Sequence, residues 1–197
     1  MLTHEIALWK TGFSAIAGVD EVGRGPLAGP VVACACILPK AVVFDGVRDS
    51  KTLSPTKRCR IAETLKSHSG VIWALGIVSH EVVDSINILQ ATLQAMRQAI
   101  TALSLSPDYI LVDGRDTPGT SHPAQAIIKG DSISQSIAAA SIIAKVHRDA
   151  MMDEYHKLYP EYGFSAHKGY GTKAHRDAIE TYGLSPIHRK SFKLRSV

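Results

Sequence analysis

Apolar residues in this chain fall into short unbroken runs and longer periodic stretches, and the two patterns predict different elements. Residues 15–20 form an apolar run that ends on the acids Asp20 and Glu21, and residues 30–38 form a second run. A glycine-rich turn over 23–29 is all that separates them, so the two strands are expected to pair antiparallel. Ser54 before Pro55 reads as a helix start, with a side-chain cap and a proline at the first position, and the helix should reach about Ser67. Residues 71–78 read as a third strand. From Ser79 to about Leu103, Ile86, Leu89, Leu93, Met96 and Ile100 recur at helical spacing. Short runs at 109–112 and 126–128 predict the fourth and fifth strands. A long helix is expected from Ser132 to about Tyr159, with Ile133, Ile137, Ala140, Ala144 and Met151 on one face, stopped by Pro160. Residues 161–197 are polar, basic and rich in glycine and aromatics, and read as a helical appendage to a sheet domain.

Composition narrows the class. The chain has 197 residues, 45% of them hydrophobic and 20% charged, enough for a buried core and too apolar for intrinsic disorder. Its longest apolar run, 31–38, has the length of a strand, far short of the roughly 20 residues of a membrane span. The first residues include His4, Glu5 and Lys10 and lack the apolar core of a secretory signal. Three scattered cysteines, Cys34, Cys36 and Cys59, suit reduced thiols, so a cytoplasmic protein is expected. Cys34 and Cys36 share one face of their strand and read as core packing. The net charge is +4, concentrated in the tail: from His167 onward seven Lys or Arg face two acids. A second basic stretch comprises Lys51, Lys57, Arg58, Arg60 and Lys66 against Glu63 alone. Such patches suit a polyanion, and equally an ordinary solvated surface.

The chemistry is carried by acids at strand ends. Adjacent carboxylates at Asp20 and Glu21 repel unless a cation lies between them. Asp113 ends the run Tyr109-Ile110-Leu111-Val112, and Asp131 follows Ile127-Ile128-Lys129-Gly130 just ahead of the long helix. Functional groups of α/β sheets gather where strands end and helices begin. Taken singly, Asp131 also reads as a helix cap and Asp113 as a turn residue; it is their joint occurrence with the first pair that points to a site. Oxygen-only ligands favour Mg²⁺ or Mn²⁺ over zinc, and neither an HExxH nor a paired CxxC is present. Four acids suit two ions about 4 Å apart across a phosphate. The chain has no GxxxxGK[ST], which argues against nucleotide-dependent phosphoryl transfer.

The segment Asp20-Glu21-Val22-Gly23-Arg24-Gly25-Pro26-Leu27-Ala28-Gly29 resembles the signature of the ribonuclease HII family, the type 2 ribonucleases H. Further blocks follow in the family's order: Asp49-Ser50-Lys51 with Leu53-Ser54, Asp113-Gly114, Lys129-Gly130-Asp131, Ala140-Ser141-Ile142-Ile143-Ala144-Lys145-Val146 with Arg148-Asp149, His167-Lys168-Gly169-Tyr170-Gly171-Thr172, and His188-Arg189-Lys190-Ser191-Phe192. They span about residues 15–192; the first fourteen residues carry no match. The resemblance implies an α/β, ribonuclease H-like fold. Its five-stranded mixed sheet would be flanked by helices over 1–160, with a helical C-terminal extension over 161–197. It implies an endonuclease that cuts the RNA strand of RNA/DNA hybrids and incises 5′ of single ribonucleotides in duplex DNA, leaving a 3′-hydroxyl and a 5′-phosphate. The family's metal-binding carboxylates map to Asp20, Glu21, Asp113 and Asp131. Its junction-sensing loop maps to Gly23, Arg24 and Gly25, and its junction tyrosine to Tyr170.

These roles make chemical sense. Only the 2′-hydroxyl tells RNA from DNA at one position, and bare backbone at Gly23 and Gly25 can reach it where a side chain would block the way. A tight turn would need the same glycines. Arg24 fits a phosphate contact or a surface arginine, and Tyr170 fits stacking on a sugar or a half-buried loop position. Lys51, in a Ser/Pro loop, suits a backbone phosphate; Ser50, Asn87 and Lys145 suit the same task, with Lys145 also placed to neutralise acids. Nine histidines make His167 or His175 hard to single out. Nucleic acid is the expected partner, a monomer the expected state, and no membrane contact is expected. The end Phe192-Lys193-Leu194 is no clear clamp-docking motif and leaves contact with a sliding clamp open. Two other readings keep parts of this picture: a non-catalytic nucleic-acid-binding module, and a nuclease acting on all-DNA strands or junctions.

Overall fold

A computed structural model describes residues 1–48, 50 and 53–193. Lys51, expected at a phosphate, lies outside the described residues. Five strands, β1 (Ile16–Val22), β2 (Val31–Ile37), β3 (Ile72–Val78), β4 (Tyr109–Asp113) and β5 (Ala124–Ile127), form one sheet in the order β3-β2-β1-β4-β5. β1 pairs antiparallel with β2, and β2 with β3; β1 and β4 run parallel, as do β4 and β5. The sheet is therefore mixed, with β1 at its centre; the short turn between the first two runs fixes the antiparallel β1–β2 pair, and the helix His80–Thr101 carries the chain across to β4, parallel to β1.

Helices cover both faces. One face of β1 and β2, with Ala17, Val19, Val31, Ala33 and Ala35, packs on α3 (His80–Thr101) through Val83, Ala91, Ala95, Met96 and Ile100. The opposite face, with Val32, Cys34 and Cys36, packs on α2 (Pro55–Ser67) and α4 (Gln135–Leu158). This alternation puts both cysteines in the core, where burial pushes the Cys36 thiol up to about 12. The α4 backbone lies directly on β1 at Gly18: a Cβ there would fall 2.1 Å from the Ser136 carbonyl carbon and 2.2 Å from the Ile137 nitrogen. Small residues on both sides, with the Ala138–Ala139–Ala140 run of α4, allow that approach.

Helix starts follow their caps. Ser54 accepts from the Lys57 amide, and Ser79 from the Val82 amide. Ser134 accepts from the Ile137 amide, so α4 begins at Gln135 and not at Ser132. Residues 130–132 instead form a separate 3₁₀ turn, and Ile133, expected on the buried face, is 42% exposed. β5 also stops one residue early, leaving Ile128 64% exposed. α3 breaks at Asn87, whose φ is +67°, and the Asn87 Oδ1 restarts the helix by accepting from the Gln90 amide at 3.1 Å.

The N-terminal residues fold as α1 (Thr3–Lys10), which the chain's pattern did not announce. Its Glu5 is buried against the start of α4, where Oε1 accepts from the Ser134 hydroxyl, the Ser136 amide and the Ser136 hydroxyl at 2.7, 3.0 and 2.7 Å. A carboxylate at a helix N-terminus also gains from the helix dipole. At the other end of the chain, a 3₁₀ turn at Pro160–Tyr162, α5 (Phe164–His167) and α6 (Lys173–Tyr182) pack Tyr162, Phe164, Ala178, Ile179 and Ile187 onto Met152 of α4 and onto Leu27 and Ala28.

Candidate active site

β1 and β4 are parallel neighbours with Val19 opposite Val112, so the next residues, Asp20 and Asp113, leave the sheet at the same end and on the same face. Asp131 arrives from the 3₁₀ turn after β5. Asp113 Oδ1 accepts from the Gly130 amide at 2.6 Å, which ties the end of β4 to that turn. The turn is closed by the Ser134 amide donating to the Gly130 carbonyl at 2.8 Å and by left-handed backbone at Lys129. The result is a cluster in which one carboxylate oxygen from each of Asp20, Asp113 and Asp131 lies within 4.8 Å of the others.

Glu21 is not part of that triad. As the next residue on a strand it leaves β1 on the other face, and its Oε1 pairs with Arg24 Nη1 at 3.2 Å. Burial raises the Glu21 carboxyl; Arg24 opposes the rise and Asp113 adds to it. Asp20 is raised further, first by its own burial, then by Glu21 and Asp113, with the Ser141 hydroxyl and the Glu21 amide working the other way. The Glu21 amide donates to Asp20 Oδ1 at 2.7 Å. Three oxygen donors converging at a buried, mutually repelling centre fit a hard divalent cation, which would relieve the repulsion that raises Asp20.

A cleft of about 180 Å³ opens beside the acids and is lined by Asp20, Glu21, Val22, Ser50, Ser141, Lys145 and Tyr170. Five residues singled out in the sequence thus meet in one place. Their surroundings differ. Ser50 is buried, its hydroxyl 3.0 Å from that of Ser141. Lys145 donates to Asp149 at 2.7 Å, one turn along α4. Tyr170 is 43% exposed, and its ring edge lies 3.6 Å from where a Gly25 Cβ would stand. Asn87 is elsewhere, exposed at the break in α3 and one turn beyond Asp84. The Asp84 carboxylate accepts from the amides of Lys190 and Ser191, which sets that helix beside the C-terminal residues.

The Gly23-Arg24-Gly25 loop leaves β1 directly after Glu21 and Val22. Gly23 has φ +97°, and a Cβ on it would sit 2.3 Å from the Arg148 Nε and 2.6 Å from the Pro30 oxygen, so no side chain fits. Several residues that shape the site were not assigned a role from the sequence. Ser141 and Arg148 are polar positions on the buried side of α4. Arg189 and Glu5 reach their partners across more than 100 residues of chain. Their one visible signal is a polar residue interrupting an apolar face, which periodicity alone reads as noise.

The ribonuclease HII family profile matches residues 17–195. A ribonuclease HII of Chlamydia pneumoniae is 56% identical over 192 residues, covering 98% of this chain and 89% of its own. Among solved structures, the ribonuclease H2 of Pyrococcus horikoshii OT3 superposes with a TM-score of 0.75 at 27% identity, over 90% of this chain and 93% of that one. The ribonuclease HII solved in complex with PCNA from Archaeoglobus fulgidus gives 0.77 at 26% identity, over 93% and 97%. A carboxylate cluster at the end of a ribonuclease H-like sheet and this extent of likeness lead to one conclusion: the chain belongs to the ribonuclease HII family, divalent-metal-dependent endoribonucleases of the ribonuclease H type that act on RNA/DNA hybrids.

Proposed function

We propose that this enzyme, beyond cutting hybrids, incises duplex DNA on the 5′ side of a single embedded ribonucleotide and leaves a 3′-hydroxyl and a 5′-phosphate. The observation that supports this reading is that Tyr170 lines the cleft with Asp20 and Glu21, while the Gly23-Arg24-Gly25 loop adjoins those lining residues through the Arg24–Glu21 pair at 3.2 Å and through Gly25, whose Cβ position is 3.6 Å from the Tyr170 ring. In this reading Asp20, Asp113 and Asp131 hold the metal, and Glu21 joins them from the neighbouring face of β1. Divalent ions held by these carboxylates would supply an activated water and positive charge to stabilise the departing oxygen. The chain's own groups do the rest. Loop main chain meets the 2′-hydroxyl, and Arg24, drawn to Glu21 at 3.2 Å, carries positive charge to the phosphate side. Tyr170 stacks on the sugar beyond the junction. Ser50, Lys51, Asn87 and Lys145 are assigned to the phosphate backbone, and residues 161–197 act as the extension that brings Tyr170 to the domain formed by 1–160.

The test is a nicking assay on matched duplexes with zero, one and four ribonucleotides, in Mg²⁺, in Mn²⁺ and in EDTA, with end-labelled products identified by their termini. Cleavage of the one-ribonucleotide duplex with either ion, none in EDTA and none of all-DNA duplex is expected. Equal cutting of the all-DNA duplex refutes the junction reading. The PCNA-bound relative makes a sliding clamp the protein partner to assay, comparing the full chain with one truncated after Phe192.

A further inference from the structure

The loop over residues 23–30 is held by two buried arginines that belong to distant parts of the chain. Arg189, 2% exposed, directs its whole guanidinium at main-chain carbonyls. Nε donates to Gly29 at 3.0 Å, Nη1 to Arg24 at 3.1 Å and Pro26 at 2.9 Å, and Nη2 to Gly23 at 2.6 Å and Gly29 at 2.8 Å. Its amide donates to the Leu27 carbonyl at 2.8 Å. Arg148, fully buried, donates from Nε to Pro30 at 3.0 Å and from Nη2 to Ala28 at 3.1 Å. Its Nη1 donates to the Lys168 carbonyl at 2.9 Å, and the Leu27 amide donates to Gly169 at 2.8 Å, so the segment carrying Tyr170 is fastened to the same loop.

The consequence follows from peptide geometry. In a trans peptide the N–H points opposite to the C=O, and no cis bond occurs among the described residues. With the Gly23 and Arg24 carbonyls drawn inward to Arg189, the amides of Arg24 and Gly25 point away from that guanidinium. Two cations lie behind those donors. Burial, and then Arg148, pushes Arg189 down to about 9, and it stays charged at neutral pH. An oxygen acceptor on a sugar or phosphate would therefore meet two preset donors backed by positive charge.

We propose that Arg189, assisted by Arg148, is the positioning residue of ribonucleotide recognition: it fixes the inward carbonyls of residues 23–30 and thereby aims the Arg24 and Gly25 amides at the ribose-bearing strand. This rests on the loop reading given under Proposed function. Charge alone does not suffice, because only the planar five-donor fork can serve four carbonyls at once, and a lysine ammonium cannot.

The experiment compares Arg189→Lys and Arg148→Lys with the wild-type enzyme, after thermal unfolding has shown that each folds. Three quantities are read: kcat/KM on a one-ribonucleotide duplex, the inhibition constant of an all-DNA duplex used as competitor, and Mn²⁺ affinity by calorimetry. Arg189→Lys is expected to lower kcat/KM by about a hundredfold or more, with a smaller loss for Arg148→Lys, while the other two quantities stay within about threefold. A kcat/KM within threefold of wild type overturns the proposal. So does a parallel fall in all three quantities, or failure of both variants to fold, since either would make the arginines structural supports only. A wild-type enzyme that cuts the all-DNA duplex as fast as the one-ribonucleotide duplex would sink the loop reading itself, a result separable from any effect of Arg189.

Discussion

Replacing Asp20 by asparagine should make the metal-free protein more stable and the metal-bound protein inactive. Asp20 is 5% exposed, and its carboxylate lies within 4.8 Å of those of Asp113 and Asp131. At that 4.8 Å separation and an effective dielectric constant of about 20, each ionised pair costs about 3.5 kcal/mol. Two such pairs set the scale. Proton uptake by the raised Asp20 carboxyl and solvent around the half-buried Asp113 reduce the realised cost to on the order of 1–3 kcal/mol. Asn keeps the shape, can still accept from the Glu21 amide through Oδ1, and offers an N–H to a neighbouring carboxylate. For a chain of this size 1–3 kcal/mol corresponds to a rise in Tm of roughly 3–10 °C. The assay is thermal unfolding of both proteins in EDTA and in a Mg²⁺ series, with nicking of a one-ribonucleotide duplex alongside. Wild type should gain stability with Mg²⁺, and Asp20→Asn should begin higher, gain little and not cut. A variant that melts at or below wild type in EDTA, or that keeps the full Mg²⁺ response, would show that these carboxylates do not share an ion.

Three further outcomes are expected. Gly18→Ala forces a Cβ to within 2.4 Å of three main-chain atoms of α4; with no side chain free to move aside, it should cost about 3 kcal/mol or more, and urea unfolding at the wild-type midpoint would contradict the described packing. Glu5→Ala leaves two hydroxyls and the Ser136 amide without their acceptor, for a loss on the order of 2–4 kcal/mol, together with weaker Mn²⁺ binding through the displaced 130–134 turn; intact stability in chemical denaturation would contradict it. His175 and His188 are buried with Nε2 atoms 3.0 Å apart, and burial lowers each from the usual 6.5 to about 4. Because the folded state prefers both neutral, their contribution is complete above about pH 6.5 and is lost as pH falls toward 4, on the order of 1–3 kcal/mol per ring. Urea midpoints at pH 7.5 and 4.5 should therefore differ by more in wild type than in His175→Gln, and an equal difference would place the acid sensitivity elsewhere.

The sheet was legible because four of its strands are bounded apolar runs, and the acids were legible because Asp20 and Asp113 end such runs and Asp131 closely follows another. Asp113 stands at the end of β4 and Asp131 in the 3₁₀ turn that follows β5, and the antiparallel pairing of β1 with β2 follows from a turn too short for anything else. What the pattern hid has a common cause. The start of α4 was set by which serine reaches an amide, Ser134 and not Ser132, a matter of φ and ψ that composition does not carry. Periodicity runs unbroken through Asn87, so the break in α3 was invisible. Glu5 sits in a segment without a strong apolar face, and its worth comes from an N-terminus folded 130 residues later. Arg148 and Arg189 were quoted within motifs but given no task, because a buried guanidinium is explained by carbonyls that only the assembled fold brings to it.

The hydrogen bonds from Arg189 to residues 23–29 close chain separations of 160 to 166 residues. Contacts so remote form late, since each demands that a very large loop be closed first. While the polypeptide is being synthesised, strand β1 can emerge, pair and gather its acids with residue 189 still inside the ribosome. At that stage the nascent chain can hold its carboxylate cluster while residues 23–29 lack the five guanidinium hydrogen bonds that fix them, and a product that terminates before Arg189 would never acquire those bonds.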